Sequence, residues 1–348
     1  MDACFAVTAT RPARRSAGRR PADRPWASGQ GSSASRRGFT LVEMLTVVVI
    51  IGILASLITG AAIAAKRRTM IAVTGIEISQ LDAALKAYKE RHAEYPPDFS
   101  GLTGPSGFTN PNVAVRDRAR WAVIRHLEKA FPRYRVPGAT LNDKWNNLAS
   151  SLAAYGVRLN KLNPSAALVF WVGGLPDGVG STRLIGFSAN AQDPFYFDDR
   201  NGNTTYDPGQ DQLGSRLPSL FEFKPERLKL VDDVLRYFPD IGGSGETAPY
   251  VYFRAGSGGY SGLPVPAFAS RAYHPEWGAT GPCRDTRVPL PSSDPPFDWA
   301  NRDSFQIRAA GLDGVFGPGV LFPTGEDYND ATYDDQTNFS GGTLEDKM

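Results

Sequence analysis

The sequence is poor in the residues from which active centres are most often built. Its 348 residues hold only two cysteines and three histidines. Cys4 lies in a basic N-terminal stretch that reads as a leader, so its loss leaves Cys283 alone and excludes an intramolecular disulfide. Such a thiol is expected to be packed or partly exposed rather than nucleophilic. His92, His126 and His274 are widely spaced and form no metal-ligand pattern. His126 reads as a helix-surface histidine and His92 as the end of a helix. There is no H-E-x-x-H, no G-x-S-x-G, no P-loop and no Rossmann glycine fingerprint. No internal repeat is evident. Charge of either sign is not in excess, with 38 basic and 36 acidic residues. Removing the eight arginines and two aspartates of residues 1–38 leaves 30 and 34, a net of −4. A mildly acidic remainder gives no electrostatic case for nucleic acid. The expectation is a protein that is not an enzyme.

What the sequence does have is one long apolar run. Met44 to Ala65 carries no charge, and Lys66, Arg67 and Arg68 end it abruptly. As a helix it would span roughly 33 Å, enough to cross a bilayer core. Before it stand Arg36, Arg37, Gly38, Phe39, Thr40, Leu41, Val42 and Glu43. The basic flank keeps that side in the cytoplasm. Glu43 is the odd residue, because a carboxylate in a membrane helix costs about 2.5–3.5 kcal/mol and calls for a partner.

Gly38, Phe39, Thr40, Leu41, Glu43 and the apolar run resemble the type IV prepilin signature. The resemblance implies cleavage between Gly38 and Phe39 by a prepilin peptidase that also methylates the new N-terminus. It implies that Glu43 meets the N-terminal amine of a neighbouring subunit during assembly. The segment 1–38 is long for such a leader, which leaves a start downstream of Met1 open.

Past the triplet, Ile71, Ile78, Leu81, Leu85 and Tyr88 form a stripe at helical spacing, with Lys86, Lys89, Glu90 and Arg91 off it. Pro96 and Pro97 place the helix end near Glu94. The segment from Gln80 to Tyr88, then Glu94-Tyr95-Pro96-Pro97 and Gly101-Leu102, resembles the major pseudopilins of type II secretion. Residues 98–114 read as a loop. A second helix is expected over Ala119–Phe131, burying Trp121, Ile124, Leu127 and Phe131, and a short one within Leu148–Leu162. After Pro164 the pattern turns to strands at Ala166–Val172, Leu184–Phe187, Leu220–Phe223 and Tyr250–Phe253. The segments 239–249 and 256–296 are rich in Gly and Pro and read as large loops. Trp277, Tyr260 and Tyr273 there, and Trp299 just beyond, either bind sugar or peptide or anchor the loops on the core.

Two acidic loops are candidate calcium sites. Asp199, Asn201, Asn203 and Asp207 present oxygens at alternate positions, as one curled loop around a hard cation would. The loop lacks the placed glycine and terminal glutamate of an EF-hand, and a solvated Asn/Gly turn is the competing reading. Near the C-terminus, Phe305–Gly314 and Asp334–Phe339 resemble two pseudopilin segments that bracket a calcium loop. That resemblance makes Asp313 and Asp335 the side-chain ligands, with Asp334 added. The insert from Pro318 to Tyr333 departs from the family's loop and brings Glu326, Asp327 and Asp330.

The fold expected is α+β and pilin-like, with a long N-terminal helix packed on an antiparallel sheet head bearing large loop insertions. Its parts are a removed leader (1–38), a transmembrane or filament-core helix (39–65), an amphipathic continuation (66–94) and an exported head (95–348). The function implied is a structural subunit of a type II secretion pseudopilus or related filament. Its expected partners are the prepilin peptidase/N-methyltransferase, other pilin or pseudopilin subunits, an inner-membrane assembly platform and lipid. The chain is expected to be single-pass in the inner membrane, N-terminus cytoplasmic. The alternatives are a minor pilin or adhesin, or a membrane-anchored hydrolase or binding protein on the same export route.

Overall fold

A computed structural model describes residues 38–102, 110–241, 247–256, 259–260, 272–274, 277–293, 296–317 and 321–347. The expected leader, apart from Gly38, lies outside them, as does part of each large loop. The chain divides after Leu57 into two bodies. The first holds the opening turns of helix α1 (Leu41–His92), every one of whose residues there is exposed.

In the second body α1 keeps the expected amphipathic stripe. Thr74, Ile78, Leu81, Ala84, Leu85 and Tyr88 are buried, and Glu77 is buried with them. Helix α2 (Val113–Ala130) starts earlier than the hydrophobic spacing suggests, because the Asn112 side chain caps it by accepting from Val115 N. Helix α3 (Leu141–Ala153) likewise begins at a capping box of Thr140 and Asp143. The buried face of α2 is Val115, Val123, Ile124, His126 and Leu127. His126 is therefore a core residue and not a surface one, while Trp121 is exposed.

The apolar run Ala166–Val172 is not a strand. It is helical, closing on a wide π turn over Val169–Gly173, and every residue of it is buried. Burial all round erases the periodicity that separates helix from strand. Its Trp171 stacks on Phe99 and donates from Nε1 to Pro97 O at 2.8 Å. Leu184–Phe187 and Leu220–Phe223 also form no strand; the first contributes an isolated bridge between Leu184 and Pro176.

Strands then follow in short pieces: β1 (Leu228–Val231), β2 (Val234–Tyr237), β3 (Val251–Arg254), β4 (Ala272–His274), β5 (Gly278–Thr280), β6 (Arg284–Pro289), β7 (Phe297–Trp299), β8 (Phe305–Ala309) and β9 (Leu321–Phe322). A last turn of helix, α4 (Asp330–Tyr333), precedes β10 (Gln336–Thr337). The central sheet has the order β10-β8-β3 and is antiparallel, with Tyr252 opposite Ile307 and Thr337 opposite Arg308. The pair β1-β2 is antiparallel, while β9 joins β6 in parallel. Strand β8 is buried on both faces. Phe305, Ile307 and Ala309 enter the main core with Leu81, Leu85, Tyr88 and Tyr252. The alternate residues are polar: Gln306 bridges Cys283 N and O, and Arg308 answers an acid described below. Tyr260 and Trp277 are buried, so these two loop aromatics anchor the loops on the core.

Candidate functional site

The N-terminal junction is built from helix-capping chemistry. Gly38 and Phe39 precede α1, and both are exposed. Thr40 is the N-cap: its amide and its hydroxyl both donate to Glu43 Oε2 at 2.8 Å, and its Oγ1 accepts from Glu43 N at 3.2 Å. Glu43 is thus locally held within its own chain. From residue 38 to residue 69 no side chain is buried. The apolar stretch of α1 is long and apolar enough to cross a membrane. Contiguous exposed apolar surface is the kind that marks membrane or protein interaction sites.

Further along α1, Glu77 faces the head. Arg227 grips it with both terminal nitrogens, Nη1 to Oε1 at 2.7 Å, and Tyr237 Oη donates to Oε1 at 2.8 Å. Tyr250 Oη donates to Oε2, so four hydrogen bonds converge on one buried carboxylate. Where α1 ends, His126 of α2 bridges Tyr88 Oη (2.8 Å) and Glu94 Oε1 (2.6 Å). Lys129 holds the other Glu94 oxygen at 3.0 Å. The His126 hydrogen bond leads in lowering Glu94 to about 2, whereas burial, then His126, lowers His92 to about 4.

The C-terminal segments come together through the β8-β10 pairing. Arg308 reaches Asp335 Oδ2 from Nε at 2.9 Å and Nη2 at 2.6 Å, with both side chains buried. Asp313 N donates to Asp334 Oδ2 at 3.2 Å, and Asp313 Oδ1 accepts from Val315 N at 2.9 Å. Gly311 passes so close to the Asp334 carboxyl that a Cβ there would overlap it, and Gly314 turns at φ +74°. Burial raises Asp335 to about 7; it also raises Asp334, helped by the charge of Asp313. Asp335 Oδ1 and Asp334 Oδ1 are buried without a hydrogen-bond partner. Two orphaned carboxylate oxygens beside Asp313 are hard donors of the kind calcium takes. Among the described residues, however, no three His, Cys, Asp or Glu side chains are grouped closely enough to hold an ion by themselves. Cys283 is packed 3.8 Å from Arg308 Nη1, and burial pushes its thiol up to about 11, leaving it inert.

The loop at Asp199 closes on itself. Gly202 N and Thr204 N donate to the two Asp199 oxygens at 2.6 and 3.0 Å. Asn201 and Asn203 donate their amides to Asp207 Oδ2 at 2.8 and 2.7 Å. Their own Oδ1 atoms accept from Asn203 N and Thr205 N. It contrasts with the C-terminal loop, whose two acids keep oxygens unanswered.

Residues 33–59 match the family described as the prokaryotic N-terminal methylation motif. The chain carries that motif. Its Gly38-Phe39 junction, Thr40 cap and Glu43 all fall inside the matched residues. The chain is also similar to "Type II secretion system core protein G" from three sources. The protein of Klebsiella michiganensis is 40% identical over 84 residues, which are 24% of this chain and 58% of the relative. That of Klebsiella pneumoniae is 36% identical over 92 residues, 26% and 66% of the two chains. That of Pseudomonas aeruginosa is 36% identical over 84 residues, 23% and 59%. The chain therefore spans between about half and two thirds of these relatives' lengths, and the relatives are much the shorter proteins. No solved structure matches.

Sequence reasoning around the methylation motif missed three residues. Thr40 as reciprocal cap was open to view as a Thr-x-x-Glu capping box. Glu77 and Arg308 gave weaker signals. Glu77 is an acid placed one residue before Ile78 of the apolar stripe, and Arg308 a charge inside a β-period strand.

Proposed function

We propose that the protein is a structural subunit of a type II secretion pseudopilus or a related type IV pilus-like filament. The apolar part of α1 would anchor it in the inner membrane, with the head on the far side, and would then line the filament core. Prepilin peptidase would cut between Gly38 and Phe39 and methylate Phe39. Glu43 would meet the free amine of an adjacent subunit as an inner-membrane platform adds it. The observation that carries the reading is the conjunction of the methylation motif with a helix long and apolar enough to cross a membrane.

Calcium belongs to the same reading. Asp313, Asp334 and Asp335 would hold it, with further oxygens from the loop that follows Gly314. The ion would supply the positive charge that Arg308 alone does not provide for three neighbouring acids. Intact-mass analysis of membrane-extracted protein tests the processing step. The expected species lacks residues 1–38 and carries one extra methyl group, and it is recovered in sheared filaments. Full-length chain from a strain with active prepilin peptidase overturns the proposal.

A further inference from the structure

Asn201-Gly202 is the single Asn-Gly step in the 348 residues, and both of its residues are exposed. A backbone nitrogen that attacks the side-chain amide of the preceding asparagine closes a cyclic imide. Glycine after the asparagine permits that approach best, because it has no Cβ to obstruct it. Gly202 turns at φ +72°, and nothing lies within 4 Å of where a Cβ on it would stand. Both the nucleophile and the amide are therefore open to water.

The loop places a group at each point where the reaction needs one. Gly202 N, the nucleophile, donates to Asp199 Oδ1 at 2.6 Å, within reach for a carboxylate to take its proton. Asn201 Oδ1, where negative charge develops during attack, accepts from Asn203 N at 2.9 Å. Asn201 Nδ2, the leaving nitrogen, donates to Asp207 Oδ2 at 2.8 Å. The layout repeats at the next asparagine. Thr204 N donates to Asp199 Oδ2 at 3.0 Å, and Asn203 Oδ1 accepts from Thr205 N at 2.8 Å. Asn203 Nδ2 donates to Asp207 Oδ2 at 2.7 Å. Here, however, a β-branched threonine follows the asparagine and crowds the attack. Asn203 is the slower twin of Asn201 in one loop.

We propose that Asn201 is a self-modifying site, converted to aspartate and isoaspartate with Asp199 as the proton acceptor. Asp199 draws the proton from Gly202 N, and that nitrogen attacks Asn201 Cγ. The N–Cγ bond forms and the Cγ–Nδ2 bond breaks. The Gly202 proton, passed on through Asp199 and solvent water, leaves with the departing nitrogen as ammonia. A water molecule then opens the imide, giving aspartate by attack at one carbonyl and isoaspartate at the other. The step needs water and no redox partner. Either product replaces the Asn201 amide donor with a carboxylate near Asp207, so one arm of the loop closure becomes a repulsion between like charges.

The test uses the full-length chain in detergent, incubated in neutral to mildly alkaline buffer and mapped by peptide mass spectrometry. Isoaspartate is scored with an isoaspartyl-specific methyltransferase and labelled S-adenosylmethionine. Asn201 is expected to convert first, ahead of Asn203 and every other asparagine, with isoaspartate among its products. A positioned proton acceptor contributes about 10²–10⁴-fold, so Asp199→Asn should slow conversion of Asn201 at least tenfold in the folded chain. In guanidinium chloride, where the loop is lost, Asp199→Asn and the unmodified chain should convert at the same rate. An equal or faster folded rate in Asp199→Asn overturns the proposal, because the loop would then shield the amide rather than activate it. Aspartate without isoaspartate, the mark of direct hydrolysis by water, overturns it too. So does conversion that begins at another asparagine.

Discussion

Glu43 and Glu77 are carboxylates on one helix in opposite settings. Glu43 is exposed and held by Thr40, whereas Glu77 is buried and held by Arg227, Tyr237 and Tyr250. Removing one partner from a buried ion pair leaves the other uncompensated, at a cost of about 3–5 kcal/mol. Glu77→Gln should therefore lower the stability of the detergent-solubilised chain by that order in thermal melts. The double variant Glu77→Leu/Arg227→Met should recover much of the loss, because it strands no charge. An equal loss in both would mean that packing around the site, not the charge, is what matters. Glu43 should behave differently. Glu43→Val removes a charge from the apolar segment, so membrane insertion should be intact or improved. Filament recovery should nevertheless fall sharply if the carboxylate meets a neighbour's amine. Thr40→Val, which breaks the capping box and keeps the carboxylate, separates the two roles: its recovery should stay near that of the unmodified chain.

Side chains of α1 and α2 come together near the C-terminal end of α1, where Tyr88 meets His126. His92 lies 4.4 Å from the Tyr88 ring and 6.2 Å from Phe131, and burial holds it well below the ordinary histidine range. The unfolded chain takes up this proton near pH 6.5, the folded chain only near 4, so stability should fall as pH drops through that window. Glu94, lowered to about 2, adds a second loss only below its ordinary 4.5. His92→Phe should flatten the stability-against-pH curve between 6.5 and 4 while sparing the acid limb; an unchanged slope there would assign it elsewhere. The same region shows what a sequence discloses about elements. The stripe through Ile78, Leu81, Leu85 and Tyr88 was legible because one side of α1 faces water and the other does not. His126 was not, since nothing in α2's spacing shows that Glu94 and Tyr88 wait on either side of it. Ala166–Val172 was opaque for the converse reason: a segment apolar on every side has no period to read. The starts of α2 and α3, at Val113 and Leu141, precede the apolar spacing because they are set by Asn112 and Thr140, polar caps outside the apolar pattern.

For the whole molecule, the C-terminal loop is where folding and environment meet. Eight acids and one lysine lie between Gly311 and Met348, and two of those acids keep a buried oxygen without a partner. A cation bound only by the folded state stabilises it by RT ln(1 + [L]/Kd). Sites of the extracellular kind bind at about 10⁻⁴–10⁻³ M, so millimolar calcium should yield on the order of 1 kcal/mol. The melting temperature of the full chain in detergent should rise modestly with calcium and return with chelator. Asp313→Asn and Asp334→Asn should abolish the rise without breaking the Arg308–Asp335 pair. Asp199→Asn should leave it intact, and its loss there would move the site to the other loop. The two segments that hold β8 and β10 stood out in the sequence, whereas their pairing and the buried Arg308 counter-charge did not.

The grip on Glu77 also has a mechanical consequence. One turn of α1 advances about 5.4 Å, and a helix seated only by aliphatic ridges has several nearly equivalent seats a turn apart. Here the positions one turn away from Glu77 are Val73, Thr74, Gln80 and Leu81, none of which can answer a guanidinium with a charge. A slide or a twist of α1 in its seat would press one of them against Arg227. The seat is therefore a detent with one notch. Axial load on α1 would meet one charged seat rather than a series of equivalent ones.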